Sequence, residues 1–417
     1  QNSRHDSLAN ATLPACIQYA FKHQPLIQQS LIDEKIVNAT IKTKLADWYP
    51  QINFSGYYQY NIKLPKNLFN GNYVTSGASN IASIGLAGTQ NIFNRDVLLA
   101  SRSATDIRKS ASQMTDSARI GIIANVSKAF YDVLLTQKQE SVLDEDIARL
   151  GRTLQDAYNQ YKGGIVDKTD YKRATISLNN AKAQRKQSQD LLTAKYFYLR
   201  QLIGYPDSLH LELQYDSAEL EREIVFDTTQ EINYNNRIEF RLLQTEKSLQ
   251  QYNLKYYKWG YLPSAYIYGN YNFGYLNSDF GKLYERAFPN SYVGVQLNFP
   301  IFQGTRRTYE VKAAKLQVER LDWSEEALEN SIRSEYADAL AGYKGNLANY
   351  NALKENVQLA NEVYDVIRLQ YQQGIKTYLD VIVAESDLRT AELNLYTALY
   401  TLLESKIDAE KALGILQ

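Results

Sequence analysis

Cysteine is nearly absent from this 417-residue chain: Cys16 stands alone, so no disulfide can close within it. It reads as a buried or inert thiol. Histidine is as sparse. His5, His23 and His210 are scattered, and no HExxH pattern joins any two. His23 falls on an amphipathic stretch and reads as packed or solvated. There is no GxSxG elbow and no dinucleotide fingerprint, and Lys168-Thr169 follows Gly163-Gly164 without phosphate-loop spacing. Nothing therefore points to catalysis, a cofactor or a metal. Neither sign of charge prevails, with 46 Lys and Arg against 46 Asp and Glu. A nucleic-acid binder would carry a basic excess. Long apolar runs are missing too. No window approaches the ~18 residues of a membrane-spanning helix, so any bilayer crossing falls to strands. The chain opens on Gln1 without a basic, then apolar, leader, and the expectation is a processed form.

What is abundant is tyrosine: 34 residues against 13 Phe. Its ring suits surfaces apolar on one side and wet on the other, such as membrane interfaces.

The chain also repeats itself. Leu143, Ile147, Leu150, Leu154, Ala157 and Tyr161 alternate spacings of four and three, and 210 positions later stand Leu353, Val357, Ala360, Tyr364, Ile367 and Tyr371. Asp170 matches Asp380, and Gly204 matches Gly414, in the same register. The alternation is a coiled-coil seam. It is plainest in Leu388, Ala391, Leu395, Ala398, Leu402, Ser405, Ala409 and Ala412. The first long helix is expected from near Asn94 to Lys162, about 100 Å of rise. Each helix pair turns at glycine, Gly163-Gly164 or Gly374, because a helix end commonly needs a positive φ.

Strands lie between helices. Ile52, Phe54, Tyr58, Tyr60 and Ile62 fall on one face, and Gln51, Asn53, Ser55, Gln59 and Asn61 on the other. Val293, Val295, Leu297, Phe299 and Ile301 repeat the pattern. Residues 82–92 and 265–275 supply two more strands, and the linkers 63–80 and 277–290 read as exposed loops. The expected organisation is a first repeat over 1–210, with strands at 51–62 and 82–92 and a hairpin at 94–204. A linker follows at 211–230. The second repeat, 231–417, carries strands at 265–275 and 292–301 and a hairpin at 303–414. Four strands cannot close a lipid-spanning barrel alone, since the smallest have about eight. Spanning would need several chains.

Local motifs then carry a family resemblance. Leu13 to Ser30, with Pro14, Ala20, His23 and Pro25, opens the chain. Trp48-Tyr49-Pro50 and Leu262-Pro263 precede strands. Phe299-Pro300-Ile301-Phe302 with Gly304, and its weaker twin Ile92-Phe93-Asn94, precede long helices. Tyr161 to Asp170 and Tyr371 to Asp380 are tip motifs. In this order they resemble the TolC-like outer-membrane efflux proteins over nearly the whole chain.

The resemblance implies a mixed α and β membrane protein. Long antiparallel helical hairpins form a coiled-coil tunnel, and three chains give four strands each to a twelve-stranded β-barrel. It implies a passive export conduit, not an enzyme, in the outer membrane and reaching into the periplasm. Its partners would be two further copies, a periplasmic adaptor, an inner-membrane transporter and outer-membrane lipid. A periplasmic gate would comprise Asp170, Lys376 and Asp380, with Asp380 forming a carboxylate ring and Lys376 and Asp170 a latch. Val383 departs from the pattern, standing where some members carry a second pore-facing Asp. Gly163, Gly164, Ile165, Gln373, Gly374 and Ile375 would be the adaptor-docking tips. The rival readings are a soluble coiled-coil scaffold and a periplasmic adaptor, which carries one hairpin rather than two.

Overall fold

Local chemistry starts the first helix. Thr12 accepts a hydrogen bond from the Ala15 amide at 3.4 Å, and Pro14 sits in the first turn of α1 (Leu13–His23). Gln24 breaks the helix in an extended conformation, and α2 (Pro25–Leu45) restarts at proline. The computed structural model describes residue 8 and residues 11–164, 167–215 and 217–416. After α2 come β1 (Gln51–Tyr60), β2 (Lys66–Phe69), β3 (Asn72–Thr75) and β4 (Asn80–Phe93). The helices α3 (Arg95–Lys162) and α4 (Lys168–Ile203) form one hairpin, followed by the short α5 (Ser217–Glu223) and by α6 (Ile238–Trp259). Then β5 (Ser264–Asn277) and β6 (Phe288–Asn298) lead to a second hairpin, α7 (Arg306–Gln372) and α8 (Tyr378–Leu413). Both α4 and α8 have 36 residues, and both end on a left-handed glycine, Gly204 at φ 70° and Gly414 at φ 74°.

The chain divides into two units. One comprises Gln1–Ile32, Gln113–Leu242 and Glu325–Gln417. Its main core joins Cys16 and Ala20 of α1, Val126, Phe130 and Val133 of α3, Leu199 and Ile203 of α4, and Leu403 and Ile407 of α8. Tyr205, Leu211 and Leu213 close it from the segment after α4, and Ala11 bridges Leu213 in parallel. Each fully buried aliphatic side chain contributes roughly 1.5–3 kcal/mol. The tyrosine excess has one of its uses here. On α7, Tyr336, Tyr343, Tyr350, Tyr364 and Tyr371 stand seven or fourteen residues apart, and the first four are buried. The hydroxyl of Tyr343 donates to the Ile224 carbonyl at 2.7 Å and that of Tyr336 to the Gln230 carbonyl at 3.0 Å. These bonds tether the segment after α5 to α7.

The other unit comprises Asp33–Ser112 and Leu243–Ser324. It holds a four-stranded antiparallel sheet in the order β1-β4-β5-β6. Register is continuous across it: Phe54 faces Leu86, which faces Tyr271, which faces Ser291. Within this unit Arg108 of α3 donates to Asn38 of α2 at 3.1 Å, and Lys247 of α6 pairs with Asp322 of α7 at 2.6 Å. The span 63–80, read from sequence as an exposed loop, contains the β2–β3 hairpin. Asn70 at φ 51° and Gly71 at φ 78° make its turn, the two-residue form that matches strand twist.

Candidate functional site

Two features stand out: the sheet and the hairpin tips. In the sheet, side chains alternate sharply. One face carries Ile52 and Phe54 of β1, Ile84 and Leu86 of β4, Ile267 of β5, and Val293, Val295 and Leu297 of β6. Ile52, Phe54, Val293, Val295 and Leu297 are 67–80% exposed. So much bare aliphatic surface is unfavourable in water, at about 25 cal/mol for each Å². The opposite face carries Asn53, Ser55 and Gln59, with Ser83, Asn270, Asn272, Asn290 and Gln296. Ser83 donates to Asn272 across the strands at 2.5 Å. Among the described residues, β1 and β6 each pair on one side only, so both edges of the sheet are open.

The first tip follows Lys162. The Gly163 amide donates to the Asn159 carbonyl and the Gly164 amide to the Tyr161 carbonyl, both at 3.0 Å. Of this pair only Gly164 has a positive φ, 72°. Ile165 lies outside the described residues. Asp167 then caps α4 by accepting from the Thr169 amide at 2.8 Å, which places Asp170 in the first turn. At the second tip Gly374 takes φ 76°, and the Ile375 amide donates to the Gln370 carbonyl at 2.9 Å. Gln373 donates its amide to Leu369 as the helix ends, and Ile375 is exposed.

Thr377 begins α8 with a reciprocal cap. The amide and hydroxyl of Thr377 donate to Asp380 Oδ2 at 2.9 and 2.7 Å, and the Asp380 amide returns to Thr377 Oγ1 at 3.4 Å. These bonds, helped by the charge of Lys376, hold the Asp380 carboxyl below its ordinary range. Asp380 thus has a local structural role that its sequence position did not announce. Among the described residues, no ion pair joins Lys376 to Asp170 within the chain.

What joins the tips is aromatic. Tyr378 of α8 is buried with Ala157 of α3 and Ala174 of α4, and Tyr171 and Tyr371 pack beside them. The Tyr371 hydroxyl donates to Gln160 of α3 at 2.9 Å, from one hairpin to the other. Burial, and then the charge of Glu385, push the Tyr378 phenol upward. Sequence reasoning missed Tyr378, although its neighbours Val381, Ala384 and Leu388 mark the same helix face.

With this geometry in hand, comparison with known proteins is direct. The model of the family described as outer membrane efflux protein matches residues 16–205 and 261–415. The outer membrane protein TolC of Vibrio cholerae is 24% identical over 345 residues, covering 81% of this chain and 78% of that protein. The probable efflux pump outer membrane protein TtgC of Pseudomonas putida is 22% identical, covering 94% and 84%. Among solved structures, the outer membrane protein VceC of Vibrio cholerae superposes with a TM-score of 0.76 at 15% identity, covering 96% of each chain. The family model covers well over half of the chain, and the chain belongs to the outer membrane efflux protein family.

Proposed function

We propose that the chain is one protomer of a homotrimeric channel-tunnel, a passive conduit for efflux or type I secretion. The carrying observation is the sheet: two open edges, one apolar face and one Asn/Gln/Ser face. Lipid tolerates no open strand edge, because an unpaired amide or carbonyl there costs several kcal/mol. Joining the β6 edge of one copy to the β1 edge of the next removes every edge. Three four-strand sheets then close a twelve-stranded barrel with its apolar face to lipid and its polar face to a wet lumen.

The hairpins form the periplasmic tunnel. Their tips, at Gly163-Gly164-Ile165 and Gln373-Gly374-Ile375, dock a periplasmic adaptor that is itself joined to an inner-membrane transporter. Three copies of Asp380 ring the narrowest point and favour cations. Lys376 and Asp170 latch the tips in the assembled trimer. The protein supplies no energy and breaks no bond.

Light scattering with and without detergent tests the assembly. A detergent-dependent particle of three chains, giving single-channel steps in planar bilayers, is expected. A detergent-free soluble monomer would sink the conduit and favour a coiled-coil scaffold. Lys376→Ala or Asp170→Ala should raise the conductance of the isolated channel. Unchanged conductance in both would remove the latch alone.

A further inference from the structure

Farther along the hairpins, about 24 Å of helix rise before the last residue of α3, lies a group of charges almost sealed from water. Asp146 of α3 is fully buried, and Arg389 of α8 donates to its Oδ2 at 3.0 Å. Arg149 of α3 lies 3.5 Å from Asp146 Oδ1, 3.8 Å from Glu385 Oε1 and 3.6 Å from Glu392 Oε2. Arg368 and Tyr364 approach from α7, and Tyr378 from α8.

Glu385 is the anomalous member. It is 1% exposed, and neither carboxylate oxygen has a hydrogen-bond partner in the structure. Asp146 Oδ1 and Glu392 Oε2 lack one as well. Three carboxylates thus share two close guanidinium groups, Arg149 and Arg389. A buried carboxylate without hydrogen bonds is costly when charged, and protonation removes the cost.

We propose that this cluster is a proton-operated clasp between the two hairpins, firm when Glu385 is neutral and loosened when it ionises. The inference rests on the reading that the hairpins part to open the tunnel. Burial, and then the charge of Asp146, push the Glu385 carboxyl up to about 7, against the pull of Arg149, Arg389 and Arg368. Parting the hairpins lets water in and returns the group towards its ordinary value of 4.5. Between those values the packed form binds more protons than the parted form. Acid therefore favours packing, and alkali favours parting. Applying linkage to the two values, the parted-to-packed ratio rises about 30-fold from pH 5.5 to pH 8. Asp380 does not confuse this window, because its carboxyl is held low.

The test compares the wild type with Glu385→Gln, both full-length and checked for helix content by circular dichroism. In planar bilayers, wild-type open probability should climb from pH 5.5 to pH 8, and E385Q should stay at the acidic level throughout. Hydrogen exchange of residues 140–150 and 380–392, corrected for intrinsic rates, should show protection falling above pH 7 in the wild type only. Matching pH profiles in the two proteins would overturn the clasp and leave the conduit standing. A protein that never conducts would overturn the conduit, and the exchange measurement would still judge the clasp.

Discussion

Replacing Gly414 by alanine separates two costs that a helix-ending glycine conceals. Its φ of 74° is left-handed, and an L-residue pays about 1–2 kcal/mol to hold that shape. A second cost is local. A Cβ on Gly414 would stand 2.7 Å from Asn236 C, 2.8 Å from Asn236 O and 3.0 Å from Arg237 N. These are backbone atoms, and Arg237 cannot easily yield. Its guanidinium is 5% exposed, and it donates to the Ala412 carbonyl at 2.9 Å and to Glu335 at 2.8 Å. Overpacking of this kind adds about 1–3 kcal/mol. Gly374 is the control. Its φ is 76°, but nothing lies within 4 Å of its would-be Cβ. Thermal unfolding in detergent, followed by circular dichroism, should therefore show Gly414→Ala lowering the midpoint at least twice as far as Gly374→Ala. Gly204→Ala should resemble Gly414→Ala, since its Cβ would meet His23 O at 2.8 Å and His23 C at 2.9 Å. Equal shifts at 374 and 414 would refute the argument, leaving only backbone handedness at work.

Arg389→Ala leaves the buried Asp146 carboxylate without its 3.0 Å donor, at a cost of about 3–5 kcal/mol in chemical denaturation, and Asp146→Asn in the same chain should restore part of it. Thr377→Ala removes the hydroxyl donor, the largest of the contacts that lower the Asp380 carboxyl, and leaves the amide donor in place. A lowered carboxyl keeps its charge below the ordinary range and loses it only as pH falls through the lowered value. Reversal potentials should thus show cation preference lost at a higher pH in T377A than in the wild type. Cys16 is fully buried and its thiol is pushed up to about 12 by burial, so maleimide at pH 8 should label it only after unfolding.

The sequence showed these elements unevenly, and the unevenness has physical causes. Helix seams and strand faces are local periodicities, so they can be read along one segment. Leu388, Ala398, Leu402, Ala409 and Ala412 are buried as their spacing requires. The β2–β3 hairpin was hidden because every residue in it is exposed, leaving only the Asn70-Gly71 turn as a signal. Tyrosine serves more than one purpose. Its excess suits membrane interfaces, and five of these residues form the heptad-spaced stripe along α7.

The buried charges are the instructive omission. A carboxylate in a charged helix reads as solvated, which is correct for most of them. Asp146, however, lies three residues after Leu143 and four before Leu150, and Glu385 lies four after Val381 and three before Leu388. Both therefore flank the seam, beside Ile147 and Ala384, where a buried charge must find a partner or a proton. Their counterparts 210 positions away, Asn356 and Thr175, carry no charge. The two halves differ here, so these charges are not needed to build a hairpin. They meet around Arg149 and Arg389 only when the first hairpin packs on the second, and the cluster records a demand of that packing alone.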